Sequence, residues 1–416
     1  MHTLSHVLRF WVTDTAGQRA RLVDLAVYPL DVDYPPVSQL IFRDSQRKLR
    51  GLPWAAGMRL DPADKTVAVP DLAQGALLET PPQEQAVWLG RDVLDAIIID
   101  LQSRRVTRAD ELYLDEAGGR LELRAADTGV LAMAGRLGLG RRQVSAQAGP
   151  HDWKYLEFLR GDPKAVEAGA GYLGRIVRLP PGQIAHLTES LPYLHAAELI
   201  LLLPDSLTAD TLELMSPERQ LQVFEELNDP RALRLLALMA PDVAADLLGR
   251  LALHETRRFL NRMPRAQAER VLELLRYPEN TVGGLMTNDV VIVPAGLTIA
   301  QAREHLREPL KHPDFVYFIY VVENLDTRKL VGVFSLRDFV VAADDTPIAS
   351  IMNPYLLTLS PLDAPHIAAH QLLSSQLAAM PVIGAEGQLL GALTVDVAVR
   401  LEAPRNWSAQ APRVFS

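Results

Sequence analysis

Two matching stretches in the last third of the chain decide how that part folds. Residues 330–338 read Leu-Val-Gly-Val-Phe-Ser-Leu-Arg-Asp, and residues 389–397 read Leu-Leu-Gly-Ala-Leu-Thr-Val-Asp-Val. In each stretch an apolar run predicts a buried strand, and the residues after it predict a helix. The repeat therefore indicates an internal duplication.

The duplication extends to both sides of these stretches. Each half opens on a methionine, Met286 or Met352, and then reads strand, helix, strand, turn, strand and helix. We predict the first helix of each half at 298–306 and at 365–373. Residues 279–403 are thus expected to form two related α/β half-modules, followed by a polar tail at 404–416.

Residues 175–278 have a different period, which is set by proline. Prolines recur every 11 to 13 residues from Pro180 to Pro241, and Pro264 follows after about twice that gap. Proline suits the first turn of a helix, where its missing N–H would have no partner. The segment between successive prolines predicts one short helix, which is too short to be stable without its neighbours. We therefore expect a stack of short helices, an α-solenoid, over these residues.

Residues 1–140 alternate short apolar runs with turn residues, such as the Asp-Tyr-Pro-Pro at 33–36 and the glycine pair Gly118 and Gly119. This pattern predicts short strands. We expect two small β barrels, at 1–81 and 82–140, and a linker at 141–174. The whole chain is therefore predicted to be a multidomain α+β protein, with an α-solenoid and an α/β pair after the barrels.

Composition excludes several classes of function. The 416 residues carry 42 Lys and Arg against 51 Asp and Glu, a net charge of −9, and include no cysteine. Disulfides, thiolate metal sites and cysteine nucleophiles are excluded. The acidic balance argues against nucleic acid as a partner, because binding phosphates needs clustered Lys and Arg.

The apolar stretches of the sequence predict no insertion into a membrane. The longest, 196–203 and 315–322, are shorter than the roughly 20 residues of a spanning helix, and no secretory signal is visible. We therefore expect a cytoplasmic protein.

The duplication resembles a tandem CBS (Bateman) pair. Met286-Thr and Met352-Asn-Pro open the halves, and Gly-x-x-Ser or Gly-x-x-Thr closes each repeat. A second motif makes the resemblance specific to one family of CBS proteins. It is the stretch at 275–286, which reads Leu-Arg-Tyr-Pro-Glu-Asn-Thr-Val-Gly-Gly-Leu-Met. With the helices before it, 175–403 resembles the cytosolic part of the MgtE magnesium channels, in which a helical N domain precedes a CBS pair and a pore follows. Residues 1–140 resemble PRC-barrel modules, which implies partner binding.

The CBS resemblance implies a site for an adenine nucleotide. The residues it assigns are Tyr317, Phe318, Ser335, Arg337, Asp338 and Thr394. In such pairs the hydroxyl and the helix N-terminus hold phosphate, because unpaired N–H groups favour an anion. In the second half Val397 replaces the acid that would contact ribose. The alternative is that Ser335 and Asp338 only cap their helix.

The MgtE resemblance also implies Mg²⁺ bound between the helical domain and the CBS pair. The residues assigned are Asp242, Asp246 and Asp396. Asp242 and Asp246 are four apart and share one helix face, and Mg²⁺ prefers carboxylate and water oxygens.

The acidic pattern is depleted in this chain. Val243 and Val397 stand where the family has acids, and Arg400 and Arg405 follow. Because positive charges repel Mg²⁺, the alternative is that Arg400 or Arg405 takes the place of the cation and pairs with the aspartates.

These inferences predict a regulatory protein rather than an enzyme, since no Walker A or Gly-x-Ser-x-Gly motif is present. We expect a sensor of adenine nucleotide, Mg²⁺ or both in magnesium homeostasis. The resemblance implies a homodimer formed by the CBS pair, with a membrane transporter or another protein as partner. Two alternatives stay open: a ligand-independent adaptor, and a ribosome- or RNA-associated factor acting through the barrels. Net acidity argues against the second.

Overall fold

The computed structural model describes residues 1–28, 32–78, 86–128, 150–160, 174–311, 316–354 and 356–402. The chain divides into two compact units, Met1–Asn228 and Asp229–Ser416. The first unit holds the β-rich part and the first helices of the array. The second holds the later helices and the α/β pair.

Fifteen short strands build the β-rich part of the first unit, within the described residues. They are β1 His2–Thr3, β2 Trp11–Thr13, β3 Arg19–Val27, β4 Val37–Arg43, β5 Leu49–Pro53, β6 Arg59–Asp61, β7 Thr66–Ala68, β8 Ala76–Leu77, β9 Val87–Trp88, β10 Ile97–Asp100, β11 Arg105–Arg108, β12 Glu111–Ala117, β13 Arg120–Asp127, β14 His151–Asp152 and β15 Leu156–Phe158.

The strands form open sheets, so the prediction of two closed barrels is not confirmed. The largest sheet has eight strands in the order β6-β7-β2-β3-β4-β5-β8, with β9 paired to β3. The others run β1-β12-β13-β14 and β11-β10-β15. The alternation of apolar and polar residues predicted strands, but pairing is a long-range property. The start of the chain pairs with β12, where Thr3 lies opposite Tyr113.

One hydrophobic core joins the parts that the sequence predicted as separate modules. It contains Leu22 from the first predicted barrel, Leu112 from the second, and Trp153 and Phe158 from the predicted linker. Residues 150–158 are therefore sheet and core rather than linker, because their apolar side chains are buried. The rest of the predicted linker, 141–149 and 161–173, lies outside the described residues.

The helices predicted from the proline period are confirmed. Among the described residues of the first unit, the α-helices are α1 Leu4–Val7, α2 Pro181–Ser190, α3 Tyr193–Leu202, α4 Asp205–Glu213 and α5 Pro217–Glu225. Pro180, Pro192 and Pro204 stand at the N-caps of α2, α3 and α4, and Pro217 is the first residue of α5. Helix α2 contacts α3 and α4, and α3 contacts α5, which is the stacking of neighbours that short helices need.

The second unit begins with four further helices of this type. They are α6 Asp229–Leu238, α7 Pro241–Arg250, α8 Leu253–Leu260 and α9 Arg265–Leu274. Helix α7 contacts both α8 and α9. The predicted helical domain at 175–278 is therefore divided between the two compact units at residue 228.

The first half of the α/β pair follows the predicted order, whereas in the second half the predicted first strand is reduced to an isolated parallel bridge between Leu359 and Val382. The elements of the pair are α10 Val282–Leu285, β16 Val291–Pro294, α11 Ile299–Leu306, β17 Phe318–Val322, β18 Leu330–Ser335, α12 Leu336–Val341, α13 Ile348–Ile351, α14 Pro365–Ser374, β19 Ala379–Ile383, β20 Leu389–Thr394 and α15 Val395–Glu402. Strand β16 is parallel to β17, whereas the pairs β17–β18 and β19–β20 are antiparallel.

The two half-modules exchange their opening segments. Thr287, at the start of the first half, forms an antiparallel bridge with Ala392 on β20 of the second. Asn353, at the start of the second half, forms the equivalent bridge with Val333 on β18 of the first. These reciprocal bridges fix the segment around residue 287 beside the end of β20.

Candidate functional site

A pocket lies where β17, β20 and the segment before β16 meet. It encloses about 320 Å³, including the part that is open to solvent. A water-sized molecule can occupy about 30 Å³ of it, which is far below the roughly 300–1,000 Å³ of small-molecule sites, so a larger ligand would extend from it into solvent. Its walls are formed by Thr287, Asp289, Val290, Val291, Val316, Tyr317, Phe318, Tyr320, Ala379, Ala392 and Thr394.

Strand register brings the polar residues of this pocket together. Thr394 is the last residue of β20 and lies opposite Ala379 on β19. Thr287 is held against β20 by two backbone hydrogen bonds with Ala392, of 3.0 and 2.9 Å. Phe318 begins β17, and Tyr317 precedes it. The pocket is therefore formed by both half-modules.

Tyr320 is the most deeply buried polar residue of the pocket wall. Its side chain is 3% exposed, and its hydroxyl has no hydrogen-bond partner within the described part of the chain. Burial raises the pKa of this hydroxyl, so it is a neutral O–H donor at physiological pH. A buried hydroxyl without a partner is costly, and a polar ligand atom in the pocket would satisfy it.

Tyr317 is a partly buried aromatic residue at the same wall. Burial raises the pKa of its hydroxyl, and the negative charge of Asp396 raises it further. Its ring and that of Phe318 give the pocket two aromatic residues beside the hydroxyl of Thr394. Of the six residues that the sequence assigned to a nucleotide, these three line the pocket.

The other three, Ser335, Arg337 and Asp338, do not line this pocket. The Ser335 hydroxyl donates to an Asp338 carboxylate oxygen at 2.6 Å, and the Asp338 N–H donates to the Ser335 hydroxyl at 3.2 Å. The hydrogen bond from Ser335 lowers the pKa of the Asp338 carboxyl. The two residues form a capping box at the start of the six-residue helix α12, as the capping interpretation predicts.

The aspartates assigned to Mg²⁺ lie on two helices of the second unit. Asp242 and Asp246 are on α7, and Asp396 lies in the first turn of α15. Burial raises the pKa of Asp242 to about 6, although a hydrogen bond from the Thr287 hydroxyl lowers it. Within the described residues, no group of three or more His, Asp or Glu is placed to hold a metal ion.

Arg400 interacts with all three aspartates. Its Nη2 atom lies 3.7 Å from an Asp396 carboxylate oxygen. Burial raises the pKa of Asp246, and the positive charges of Arg250 and Arg400 oppose that rise. Arg400 acts in the same direction on Asp242. Arg405 lies outside the described residues.

Sequence reasoning missed the segment of the pocket wall that is anchored to the helical array. Thr287 and Asp289 line the pocket, and each is bonded to a helix of the array: Thr287 to Asp242 on α7, and Asp289 to Arg270 on α9 at 2.8 Å. Thr287 stood in the Met286-Thr motif that carried the resemblance, which was the available signal. The Arg270–Asp289 pair depends on tertiary packing and had none.

Two family models match the chain between residues 179 and 345. The family model of the MgtE intracellular N domain matches residues 179–280, and the family model of the CBS domain matches residues 282–345. The magnesium transporter MgtE of Thermus thermophilus is 33% identical over 221 residues, which are 52% of this chain and 48% of that protein. The carboxy-terminal part of this chain is homologous to the cytosolic part of MgtE.

Two further comparisons agree with the MgtE relationship. The MgtE of Enterococcus faecalis is 35% identical over 130 residues, which are 31% of this chain and 28% of that protein. The crystal structure of the cytosolic domain of the Mg²⁺ channel MgtE in complex with ATP has a TM-score of 0.51 and 29% identity, covering 58% of this chain and 95% of that one.

The chain spans at most about half the length of the curated MgtE relatives it matches. In the described part of this chain, no helix has both the length and the apolar character needed to cross a bilayer.

Proposed function

We propose that this protein is a regulatory component of magnesium transport whose CBS pair binds an adenine nucleotide. The observation that carries the proposal is the pocket that Tyr317, Phe318 and Thr394 share with Tyr320, whose hydroxyl has no hydrogen-bond partner among the described residues. The homology to MgtE supports the role in magnesium transport. That a related cytosolic domain was crystallised with ATP supports the class of ligand. The role is binding, without catalysis.

The chemistry of the pocket suits a nucleotide. Its two partly buried aromatic residues offer faces on which an adenine ring can stack. Thr394 directly precedes α15, a helix of eight residues. The Val395 N–H donates to the Ala378 carbonyl at 2.9 Å, so the Thr394 hydroxyl and the N–H groups that follow Val395 are the donors for a phosphate. The hydroxyl of Tyr320 is a donor to a nitrogen or oxygen of the ligand.

Isothermal calorimetry with AMP, ADP and ATP, each with and without Mg²⁺, tests the proposal. We expect Thr394→Val and Tyr317→Ala to weaken binding by about tenfold, roughly one lost hydrogen bond or stacking contact. Ser335→Ala is the matched control, because it removes the equivalent hydroxyl of the other half, outside the pocket. No heat with any of the three nucleotides would contradict the proposal.

Mg²⁺ is the second ligand in the proposal, at Asp242, Asp246 and Asp396. The positive charge of Arg400 acts on all three carboxylates, as a bound cation would, although the described residues bring no three acidic groups together to hold a metal ion. Protease protection during a magnesium titration distinguishes the two cases. Protection of the wild type by Mg²⁺ favours a sensor. Protection that appears only in Arg400→Ala favours an arginine in the place of the cation.

We also propose a cytoplasmic homodimer formed by the CBS pair, with a membrane transporter as a further partner. Large apolar side chains on helices of the pair support a protein contact: Val340 is 68% exposed, Val341 77% and Ile367 71%. Light scattering after size exclusion tests the dimer, and Val340→Asp should shift it to monomer. If calorimetry detects no nucleotide binding, the same exposed residues favour the alternative of a ligand-independent adaptor.

A further inference from the structure

The charge of the pocket depends on a helix outside the CBS pair. Asp289 is the one residue with a formal charge at neutral pH among the described residues that line the pocket. Its side chain is 22% exposed, and Arg270 Nη1 donates to its Oδ1 at 2.8 Å. A lone carboxylate would repel the phosphate of a nucleotide, and the guanidinium cancels that charge.

Arg270 is held in place from several sides. Its Nη2 donates to Gln267 Oε1 at 2.7 Å, and the Asn288 side-chain amide donates to the Arg270 carbonyl at 2.9 Å. Gln267 is itself buried, and its amide donates to the Met239 carbonyl at 3.1 Å. The guanidinium is thus positioned by α9 and the end of α6 before any ligand arrives, which favours a specific electrostatic role over a mobile surface charge.

We infer that Arg270 is a specificity-determining residue which makes the pocket accept phosphorylated nucleosides by neutralising Asp289. The inference rests on the proposed function, since it concerns the ligand of the same pocket. It assigns to the helical array a part in recognising the phosphate group. The CBS pair supplies the remaining walls.

The test compares AMP with adenosine, because the two differ only in the phosphate. Calorimetry with EDTA present gives the ratio of the two dissociation constants. We expect Arg270→Gln to weaken AMP binding by about tenfold and adenosine binding by less than twofold. Removing the carboxylate as well, in Arg270→Gln with Asp289→Asn, should restore AMP binding to within about threefold of wild type, because no charge then needs cancelling.

Two further variants separate charge from structural damage. Arg265→Gln removes a positive charge from the same helix at a side chain that is 92% exposed and paired with Glu269, so the ratio should not change. Arg270→Lys keeps the charge and should keep most of the selectivity. Circular dichroism melts confirm that each variant is folded.

The outcomes are distinguishable. If wild-type protein binds neither AMP nor adenosine, the proposed function fails and this inference fails with it. If both bind but Arg270→Gln leaves their ratio unchanged, or the double variant does not recover AMP binding, only this inference is overturned.

Discussion

Gly391 shows at the scale of one residue why the repeat carries a glycine. A Cβ built there would lie 2.3 Å from the Thr287 carbonyl oxygen, whereas one at Gly332 would lie 2.7 Å from the sulfur of Met352. A thioether side chain can move, but backbone that is bridged to Ala392 cannot move cheaply. We expect Gly391→Ala to lower the free energy of unfolding by about 2–3 kcal/mol and Gly332→Ala by about 1 kcal/mol.

Urea unfolding followed by circular dichroism checks this pair of variants. Gly391→Ala should also weaken ligand binding, because it displaces the Thr287 wall of the pocket. Equal losses of stability in the two variants would show that the two glycines do not differ in this way.

Glu157 gives a prediction at the scale of an element, strand β15. Its side chain is 3% exposed, and burial raises the pKa of its carboxyl from 4.5 to about 7, although the Arg175 N–H donates to it at 2.9 Å. The folded state therefore binds the proton more tightly than the unfolded chain, and stability falls as pH rises from about 4.5 through 7. Glu157→Gln should be more stable than wild type at pH 8, by up to about 3 kcal/mol, and similar at pH 4.

Thermal melts across pH 4–8 measure this effect. Glu225→Gln, at an exposed glutamate at the end of α5, is the control and should change stability little at either pH. A Glu157→Gln variant that is no more stable at pH 8 would contradict the prediction.

Elements were predictable from the sequence where local chemistry decides them. Proline at the first turn located the short helices, and the repeated Gly-x-x-Ser and Gly-x-x-Thr located β18 and β20. The prediction of closed barrels was not confirmed, because strand pairing depends on partners that are far apart in sequence, such as β1 and β12. For the same reason, only the residues of the candidate site that lie in a local motif were predictable. Thr394 follows from the repeat, but Arg270 reaches Asp289 only through tertiary packing.

At the scale of the whole molecule, the two compact units predict unfolding in more than one step. Differential scanning calorimetry should resolve two transitions. AMP at about 100 times its dissociation constant should raise only the transition of Asp229–Ser416, by about 5–10 °C. Glu157→Gln at pH 8 should raise only the other. A single transition that responds to both changes would show that the units unfold as one.

The reciprocal bridges Thr287–Ala392 and Asn353–Val333 also determine what can be separated. A fragment that ends after residue 345 keeps β18 but loses its Asn353 partner, and Thr287 loses β20. The sheet edge of the remaining half is then left without its partner segment, so we expect one half of the pair not to fold by itself. Because each half completes a sheet edge of the other, we expect the two halves to gain or lose their structure together.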